Sequence, residues 1–220
     1  MRLLALEQSA SGVSAAVADG EERRELRAPR EGGGEALLEL VDRLLAEVGW
    51  RGEDLDALAC GIGPGPYTGV RVVLGLAQGF ARAWNRPLFG LSSTEVLGER
   101  VRAVSGSTLP VLVALEAGLG EVARLWSRPG TAARAEDHAL LGAEELRVEG
   151  AAYPEAFAAA GSGLGPVRPP DWERCRLYLP GEEATAADFL PLLTPERLGG
   201  ASPPEEVAPL YLRPAVRPKD

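Results

Sequence analysis

The sequence has very few of the residues on which metal and phosphate chemistry most often depends. Among its 220 residues are one histidine, His138, one lysine, Lys219, and two cysteines. A zinc site takes about four nitrogen, sulfur or oxygen ligands, and a single histidine with two distant cysteines is a poor source of them. A P-loop needs a lysine directly after its glycines, where this chain has none. The composition therefore argues against a His-rich zinc site, a metalloprotease and a P-loop enzyme, and His138 is expected at the surface.

Long apolar runs and an excess of positive charge are also absent. No stretch approaches the roughly 20 apolar residues of a membrane span. The apolar start becomes acidic at Glu7, too early for the core of a signal peptide. The formal net charge of −9 disfavours direct binding of nucleic acid through its phosphates. Cys60 and Cys175 are far apart in sequence and are expected to be reduced thiols. These features predict a cytoplasmic protein with no membrane contact.

The apolar pattern of the first half predicts alternating strands and helices. Three short strands, the last two joined by a turn at Asp19–Gly20, open the chain, and an amphipathic helix follows over 35–48. Alternation of this kind predicts a mixed sheet covered by helices. The elements expected next are a strand at 58–62, a helix at 68–84, a strand at 88–91 and a helix that begins with N-cap residues at 92–95 and extends to about 104.

The second half begins like the first. Each half opens with an apolar strand that ends in a carboxylate, Glu7 or Glu116, and continues into a returning strand. Internal duplication is one interpretation and chance similarity is the other. Two facing halves would bring both carboxylates, with Ser9 beside the first, to one cleft where they could hold Mg²⁺ and a nucleotide. Short helices are expected at 142–148 and 153–160.

The stretch from Gly61 to Arg71 contains four glycines and two prolines. Glycine allows close backbone approach, and proline stiffens the path of the chain. A helix begins directly afterwards, so its N-terminus could bind an anion, although no lysine is present to assist. We interpret the stretch as a structural loop rather than a catalytic one. The loop residues are Gly63, Pro64, Gly65, Pro66, Tyr67 and Gly69.

The helix after this loop contains Gly75 and Gly79, spaced four residues apart. Glycine within a helix costs about 1 kcal/mol relative to alanine, and close helix–helix contact is the usual compensation. We therefore predict a packing or docking surface here, used either within the chain or by a partner. The expected surface residues are Arg71, Val72, Gly75, Gln78, Gly79 and Arg82.

Several motifs resemble those of the TsaB (YeaZ) family, bacterial proteins of tRNA threonylcarbamoyladenosine biosynthesis. Residues 63–71, Gly-Pro-Gly-Pro-Tyr-Thr-Gly-Val-Arg, resemble the Gly-Pro-Gly-Ser-Phe-Thr-Gly-Leu-Arg loop of that family, and residues 1–7 and 87–93 resemble its neighbouring strands. The resemblance implies a two-lobed α/β fold of the actin/Hsp70-like (ribonuclease H-like) class, with mixed sheets flanked by helices. The first lobe is expected over 1–105, and a smaller, degenerate lobe over 106–220 with an extended tail that returns to the first.

The resemblance also implies a function. It implies a non-catalytic subunit that pairs with a TsaD-type catalytic subunit and acts with a TsaE-type ATPase to transfer a threonylcarbamoyl group to an adenosine beside the tRNA anticodon. The chain itself then needs no cofactor, ATP or ADP with Mg²⁺ is bound by the partners, and tRNA is contacted indirectly. When isolated, the chain could form a homodimer. The helices at 35–48 and 68–84 would form the partner contact, which adds Leu37, Val41, Leu44 and Thr68 to the interface.

A second hypothesis is a small kinase or ATPase of the actin/Hsp70 superfamily that uses Glu7 and Glu116. The family usually has aspartate where this chain has Glu7, and it often has a His-Ser or His-Thr pair where this chain has Gly32–Gly34. Tight binding of Mg²⁺ and ATP by the isolated chain, lost in Glu7→Ala, would favour the enzyme. No binding would favour the scaffold.

Overall fold

The computed structural model describes residues 1–8, 12–166, 168–198 and 203–212. The chain forms two compact units, each with its own sheet and apolar core. Unit 1 consists of Met1–Ile62, Pro66–Leu91 and Ala184–Pro209, and unit 2 of Gly63–Gly65, Ser92–Glu183 and a short C-terminal part that begins at Leu210.

Strands and helices alternate along the chain. Within the described residues the strands are β1 (Arg2–Gln8), β2 (Gly12–Asp19), β3 (Glu22–Pro29), β4 (Ala57–Gly61), β5 (Leu88–Leu91), β6 (Val111–Gly118), β7 (Glu121–Ser127), β8 (His138–Gly142), β9 (Phe157–Gly161) and β10 (Cys175–Pro180). The α-helices are α1 (Gly33–Val48), α2 (Tyr67–Ala83), α3 (Ser93–Ser105), α4 (Ala143–Ala152), α5 (Ala186–Phe189) and α6 (Pro195–Leu198).

Unit 1 is built on a five-stranded mixed sheet with helices on both faces. Leu4 and Leu6 of β1 pack against α1 and α2 in the core, together with Val13 of β2. Neighbouring residues of a strand point to opposite faces, so Ser14 points the other way. Its hydroxyl accepts the backbone N–H of Ala186, 2.9 Å away, at the start of α5. The segment that contains α5 therefore covers the second face of this sheet.

The two sheets have the same strand order and directions. In unit 1 the order is β3-β2-β1-β4-β5, and in unit 2, with the corresponding strands in the same positions, it is β8-β7-β6-β9-β10. In each sheet the first three strands are antiparallel and the last two run parallel to the central strand. This shared topology favours the duplication over chance similarity. It also confirms the ribonuclease H-like α/β class of fold.

Unit 2 has an aromatic core on one face of its sheet and α3 on the other. The rings of Trp126 and Tyr153 stack with their centroids 3.7 Å apart, and Phe157 and Trp172 meet edge to face. α3 lies close to the sheet because it has a glycine at position 98: a Cβ there would be 2.6 Å from the Cβ of Ser127. Larger residues at that position would push α3 away from β7.

Three elements of the second half differ from the sequence-based expectation. The helix expected at 153–160 is wrong, because Phe157–Gly161 forms β9, buried between β6 and β10. β8 was not expected, and the short helix at 142–148 extends to Ala152. The division into units also differs from a boundary after residue 105. α3 packs on β6 and β7 and so belongs to unit 2, whereas residues 184–209 belong to unit 1.

Candidate docking surface on helix α2

The glycine–proline loop carries the chain from β4 into α2. Gly63 has a φ of +96°, which favours glycine. The first turn of α2 then approaches β1 closely, because a Cβ at Gly69 would lie 3.0 Å from the amide carbon of Gln8. The backbone path is therefore constrained at these two glycines, and a structural rather than a catalytic role for the loop stays a prediction. Along the loop, Gly63 and Pro64 are buried, Gly65 and Pro66 are half-buried, and Tyr67 is exposed.

Helix α2 has one buried face and one exposed face. The buried residues, which fill the core of unit 1, are Gly69, Val70, Val73, Leu74, Ala77 and Ala81. The exposed residues include Thr68, Arg71, Gly75, Gly79 and Arg82, and their spacing of three or four places them on one side of the helix. We call these five residues the open face of α2.

The two glycines of the open face have no neighbour in the described chain. A Cβ built at Gly75 or Gly79 would meet no atom within 4 Å beyond its own helix turns. Packing inside the chain, one of the two alternatives raised by the sequence, therefore does not explain them. Each still costs about 1 kcal/mol in a helix interior. The described residues therefore supply no contact at these two Cβ positions that would offset the cost.

Two arginines and one exposed aromatic ring lie beside Gly75 and Gly79, which together we call the glycine strip. The guanidinium carbon of Arg71 lies 3.9 Å from the ring centroid of Tyr67, which is 54% exposed. A cation over an aromatic face is attracted to the ring, so the two side chains hold each other in place. At the other end of the strip, Arg82 lies 3.4 Å from Glu205. The open face thus has an arginine toward each end.

An apolar border runs along the side of α2 that faces α1. A Cβ at Gly34 of α1 would lie 3.0 Å from Val72 and 3.7 Å from Leu76, both half-buried, so the two helices pack closely there. Leu38, on the next turn of α1, is 40% exposed. These side chains extend the accessible apolar surface beside the open face.

Three residues predicted to lie in the interface are not accessible at the surface. Leu37, Val41 and Leu44 are each fully buried in the core of unit 1, so they have no surface to offer a partner. Gln78 is also engaged within its own unit, because its side-chain amide donates hydrogen bonds to the backbone carbonyls of Pro204 and Val207. The other predicted residues of α2 belong to the open face or, in the case of Val72, to its apolar border.

The two carboxylates predicted to share a cleft lie in different units. Glu7 of unit 1 is 4% exposed, and a Cβ at Gly61 would overlap its carboxylate. Burial, and then the charge of Glu7, raise the pKa of the Cys60 thiol above its ordinary range, so this thiol is neutral. Glu116 of unit 2 is exposed, and Ser9 lies outside the described residues. A shared nucleotide cleft therefore stays a prediction.

His138 is a residue whose surroundings the sequence did not reveal. It is half-buried rather than at the surface, and its Nδ1 lies 2.9 Å from the carbonyl oxygen of Arg134. A carbonyl only accepts, so neutral His138 donates through Nδ1 and accepts through Nε2. Nε2 lies 2.8 Å from the hydroxyl of Thr94 and 3.2 Å from that of Ser92. The hydroxyl of Ser92, the N-cap residue of α3, thus makes no hydrogen bond to the helix backbone and lies within hydrogen-bond distance of His138 instead.

This histidine should make stability depend on pH. Burial lowers the pKa of His138 below its ordinary 6.5, although the Arg134 carbonyl and the charges of Asp137 and Glu95 oppose the shift. As the pH falls, the unfolded chain therefore binds a proton at His138 before the folded chain does. The contribution of neutral His138 to the free energy of unfolding is present above pH 6.5 and is lost as the pH falls through the folded-state pKa. We expect urea unfolding between about pH 7.5 and pH 5.5 to show falling stability, by at most about 1.4 kcal/mol per pH unit from this group. The slope should flatten in His138→Gln, and an unchanged slope would contradict the assignment.

The described ranges were also inspected for metal sites and membrane spans. Within residues 1–8, 12–166, 168–198 and 203–212, no group of three or more His, Cys, Asp and Glu side chains is placed to hold a metal ion. In the same ranges, no helix has both the length and the apolar character that crossing a membrane requires.

Comparison with known proteins identifies the family. The family model for TsaD, described as tRNA N6-adenosine threonylcarbamoyltransferase, matches residues 34–144, just over half of the chain. TsaB of Escherichia coli is 36% identical over 124 residues, which are 56% of this chain and 53% of that protein. TsaB of Haemophilus influenzae is 35% identical over 86 residues, 39% of this chain and 36% of that protein. The chain thus matches about half or less of the length of these curated relatives.

A solved structure is similar over nearly the whole chain. YeaZ from Pseudomonas aeruginosa has a TM-score of 0.79 at 29% identity, over 96% of this chain and 99% of that one. The repeated sheet topology defines a duplicated ribonuclease H-like α/β protein. The chain belongs to the TsaD-type threonylcarbamoyltransferase family, and within it to the TsaB (YeaZ) proteins.

Proposed function

We propose that this chain is a docking subunit in tRNA threonylcarbamoyladenosine biosynthesis, which pairs with a TsaD-type transferase instead of catalysing the transfer itself. The observation that carries the proposal is the open face of α2, where Gly75 and Gly79 leave the helix backbone uncovered. A catalytic site uses converging polar groups, whereas this face presents two glycines with an arginine toward each end. Membership of the family supplies the pathway.

The open face suits a helix of the partner. At Gly75 and Gly79 the partner's backbone can lie directly on α2, where any larger side chain would hold it away. Arg71 and Arg82 are about 16 Å apart along the helix at 1.5 Å per residue. Arg71 can pair with a carboxylate of the partner, whereas Arg82 already faces Glu205 of its own unit. A stable interface buries about 1,600 Å² in total, more than one helix face provides. Exposed Leu38, beside the apolar border, extends the contact to α1.

The charge of the chain assigns tRNA binding mainly to the partner. With a formal net charge of −9, this subunit adds little to phosphate contacts. It needs no cofactor of its own in this proposal. ATP or ADP with Mg²⁺ is bound by the transferase and by a TsaE-type ATPase, and the complex works in the cytoplasm, where tRNA is modified.

Reconstitution tests this function. We expect the TsaD-type transferase and TsaE-type ATPase of the same organism to modify tRNA at least about tenfold faster when this chain is present, equivalent to about 1.4 kcal/mol. The measurement is threonylcarbamoyladenosine per tRNA in nucleoside digests, with heat-denatured chain as the control. Full modification without the chain, combined with no complex in analytical ultracentrifugation, would overturn the proposal. A homodimer that excludes the transferase would overturn it as well.

A further inference from the structure

The C-terminal segment Pro203–Val207, which we call the strap, is fixed alongside α2 in unit 1. The amide nitrogen of Gln78 donates one hydrogen bond to the carbonyl of Pro204, 2.9 Å away, and another to the carbonyl of Val207, 3.0 Å away. One side chain thus holds both ends of the short 3₁₀ turn that the strap forms. The strap backbone therefore has a defined position next to the helix.

Val207 anchors the strap in the core of unit 1. Its side chain packs against the core cluster, and its Cγ1 would lie only 2.5 Å from a Cβ at Gly90 of β5. Ile62 borders the same position, 2.6 Å from that Cβ. A residue larger than glycine at position 90 would displace Val207. The strap is thus a packed part of unit 1.

The strap borders the open face of α2 at Arg82. The Arg82 guanidinium lies 3.4 Å from the carboxylate of Glu205, and their side chains are 71% and 58% exposed. Glu206 follows and is exposed as well. One arginine offsets one of the two carboxylates, so this margin of the open face is negative. An exposed ion pair adds little to folding stability, typically about 0 to 1 kcal/mol.

We propose that the strap forms a second wall of the docking surface, and that the partner places a lysine or arginine against Glu205 and Glu206. This inference rests on the proposed function, because it takes the partner to be the TsaD-type subunit. A strip of two glycines gives a partner helix little to fix its direction or register. Complementary charges at one margin would supply both, since charge pairing across an interface mainly determines orientation and specificity.

Charge reversal in the full chain tests the inference. We expect Glu205→Lys with Glu206→Lys to weaken binding of the TsaD-type subunit at least about tenfold in about 0.1 M salt, and by much less in about 0.5 M salt, where charges are screened. The matched control is Glu21→Lys with Glu22→Lys. It makes the same change in net charge on the exposed hairpin between β2 and β3. Calorimetric titration should give the control an affinity close to that of the wild type.

A second variant separates the position of the strap from its charge. Gln78→Met keeps the length of the side chain and removes both hydrogen bonds. We expect faster hydrogen exchange at the amides of 205–207, unchanged exchange in β1 and β4, and an affinity reduced about fivefold or more, equivalent to about 1 kcal/mol. Titration in salt distinguishes this loss from charge reversal, because the Gln78→Met loss should persist at high salt.

The outcomes distinguish the two proposals. If the wild-type chain binds the transferase and the Glu205/Glu206 reversal binds equally well, the strap is not part of the surface and the docking function stands. If the reversal and its Glu21/Glu22 control weaken binding equally, net charge is responsible and the inference is overturned. If the wild-type chain does not bind the transferase, the proposed function fails and this inference fails with it.

Discussion

Leucine in place of Gly75 and Gly79 is expected to abolish binding of the transferase subunit and, at the same time, to stabilise the isolated chain. Each leucine would occupy the space in which a partner's backbone lies on α2. Among the described residues, a Cβ at either position meets no atom within 4 Å. Replacing glycine by a good helix former in an exposed helix interior gains up to about 1 kcal/mol per site. The double substitution should thus weaken binding and raise stability, because glycine at these positions destabilises the helix but leaves room for a partner's backbone.

Two measurements on the same variant check this result. Titration with the TsaD-type subunit should show an affinity at least about 100-fold lower, equivalent to about 2.7 kcal/mol. Urea unfolding of the chain alone should show a free energy of unfolding about 1 to 2 kcal/mol higher. The control is Ala103→Leu on the exposed side of α3, which adds similar bulk to a helix of unit 2. It should leave the affinity unchanged.

Either measurement can contradict the placement of the interface. If the Gly75/Gly79 variant binds with nearly wild-type affinity, the partner docks elsewhere on the chain. If the variant is instead destabilised, the glycines are needed for folding, and the argument from their open surroundings is wrong.

The error over α1 shows what periodicity can and cannot predict. The spacing of Leu37, Val41 and Leu44 correctly predicts an amphipathic helix. The family resemblance then implies that the same apolar stripe lies in the interface. An apolar stripe that fills a core cannot also face a partner. The residue of α1 that is accessible is Leu38, and its exposure depends on how α1 packs on β2 and β3, which the pattern does not contain.

The misassigned strand β9 reflects an ambiguity of short apolar segments. Its sequence, Phe-Ala-Ala-Ala-Gly, is apolar throughout, as expected for a strand buried on both faces, but a short buried helix has the same composition. Alanine favours helix in isolation. Pairing with β6 and β10 overrides that preference, and the pairing partners are distant in sequence.

Long-range polar contacts are a further class that the sequence did not predict. His138 meets Thr94 from 44 residues away, and Gln78 meets Val207 from 129 residues away. No local pattern specifies such pairs. They can be derived only after the strand order brings the elements together. The expected return of the C-terminal tail to the first lobe therefore did not indicate that Gln78 holds the strap.

Removal of the chain after Glu183 is expected to unfold unit 1, although β1 to β5, α1 and α2 would all remain. The second face of that sheet is covered by the segment that contains α5. This segment is part of residues 184–209, which belong to unit 1 although a boundary after residue 105 would assign them to the other lobe. Phe189, Leu190 and Leu193 are each at most 4% exposed. Deleting buried side chains of this size costs about 2 to 5 kcal/mol each, and their sum reaches the whole stability of about 5 to 15 kcal/mol of a typical domain. Loss of protected amides in β1 and β4, measured by hydrogen exchange, would show the unfolding.

A single substitution in the full-length chain tests how much one buried residue of this segment contributes to stability. Phe189→Ala removes the fully buried ring of α5, which lies against β1 and β2, and should lower the free energy of unfolding by about 3 to 5 kcal/mol. Val104→Ala is the control, because Val104 is 83% exposed and its loss should change stability by less than about 0.5 kcal/mol. Native-like exchange protection of β1 and β4 in the truncated chain would mean that unit 1 folds without residues 184–209. The N-terminal segment would then be an independent domain, and a docking subunit could consist of that segment alone.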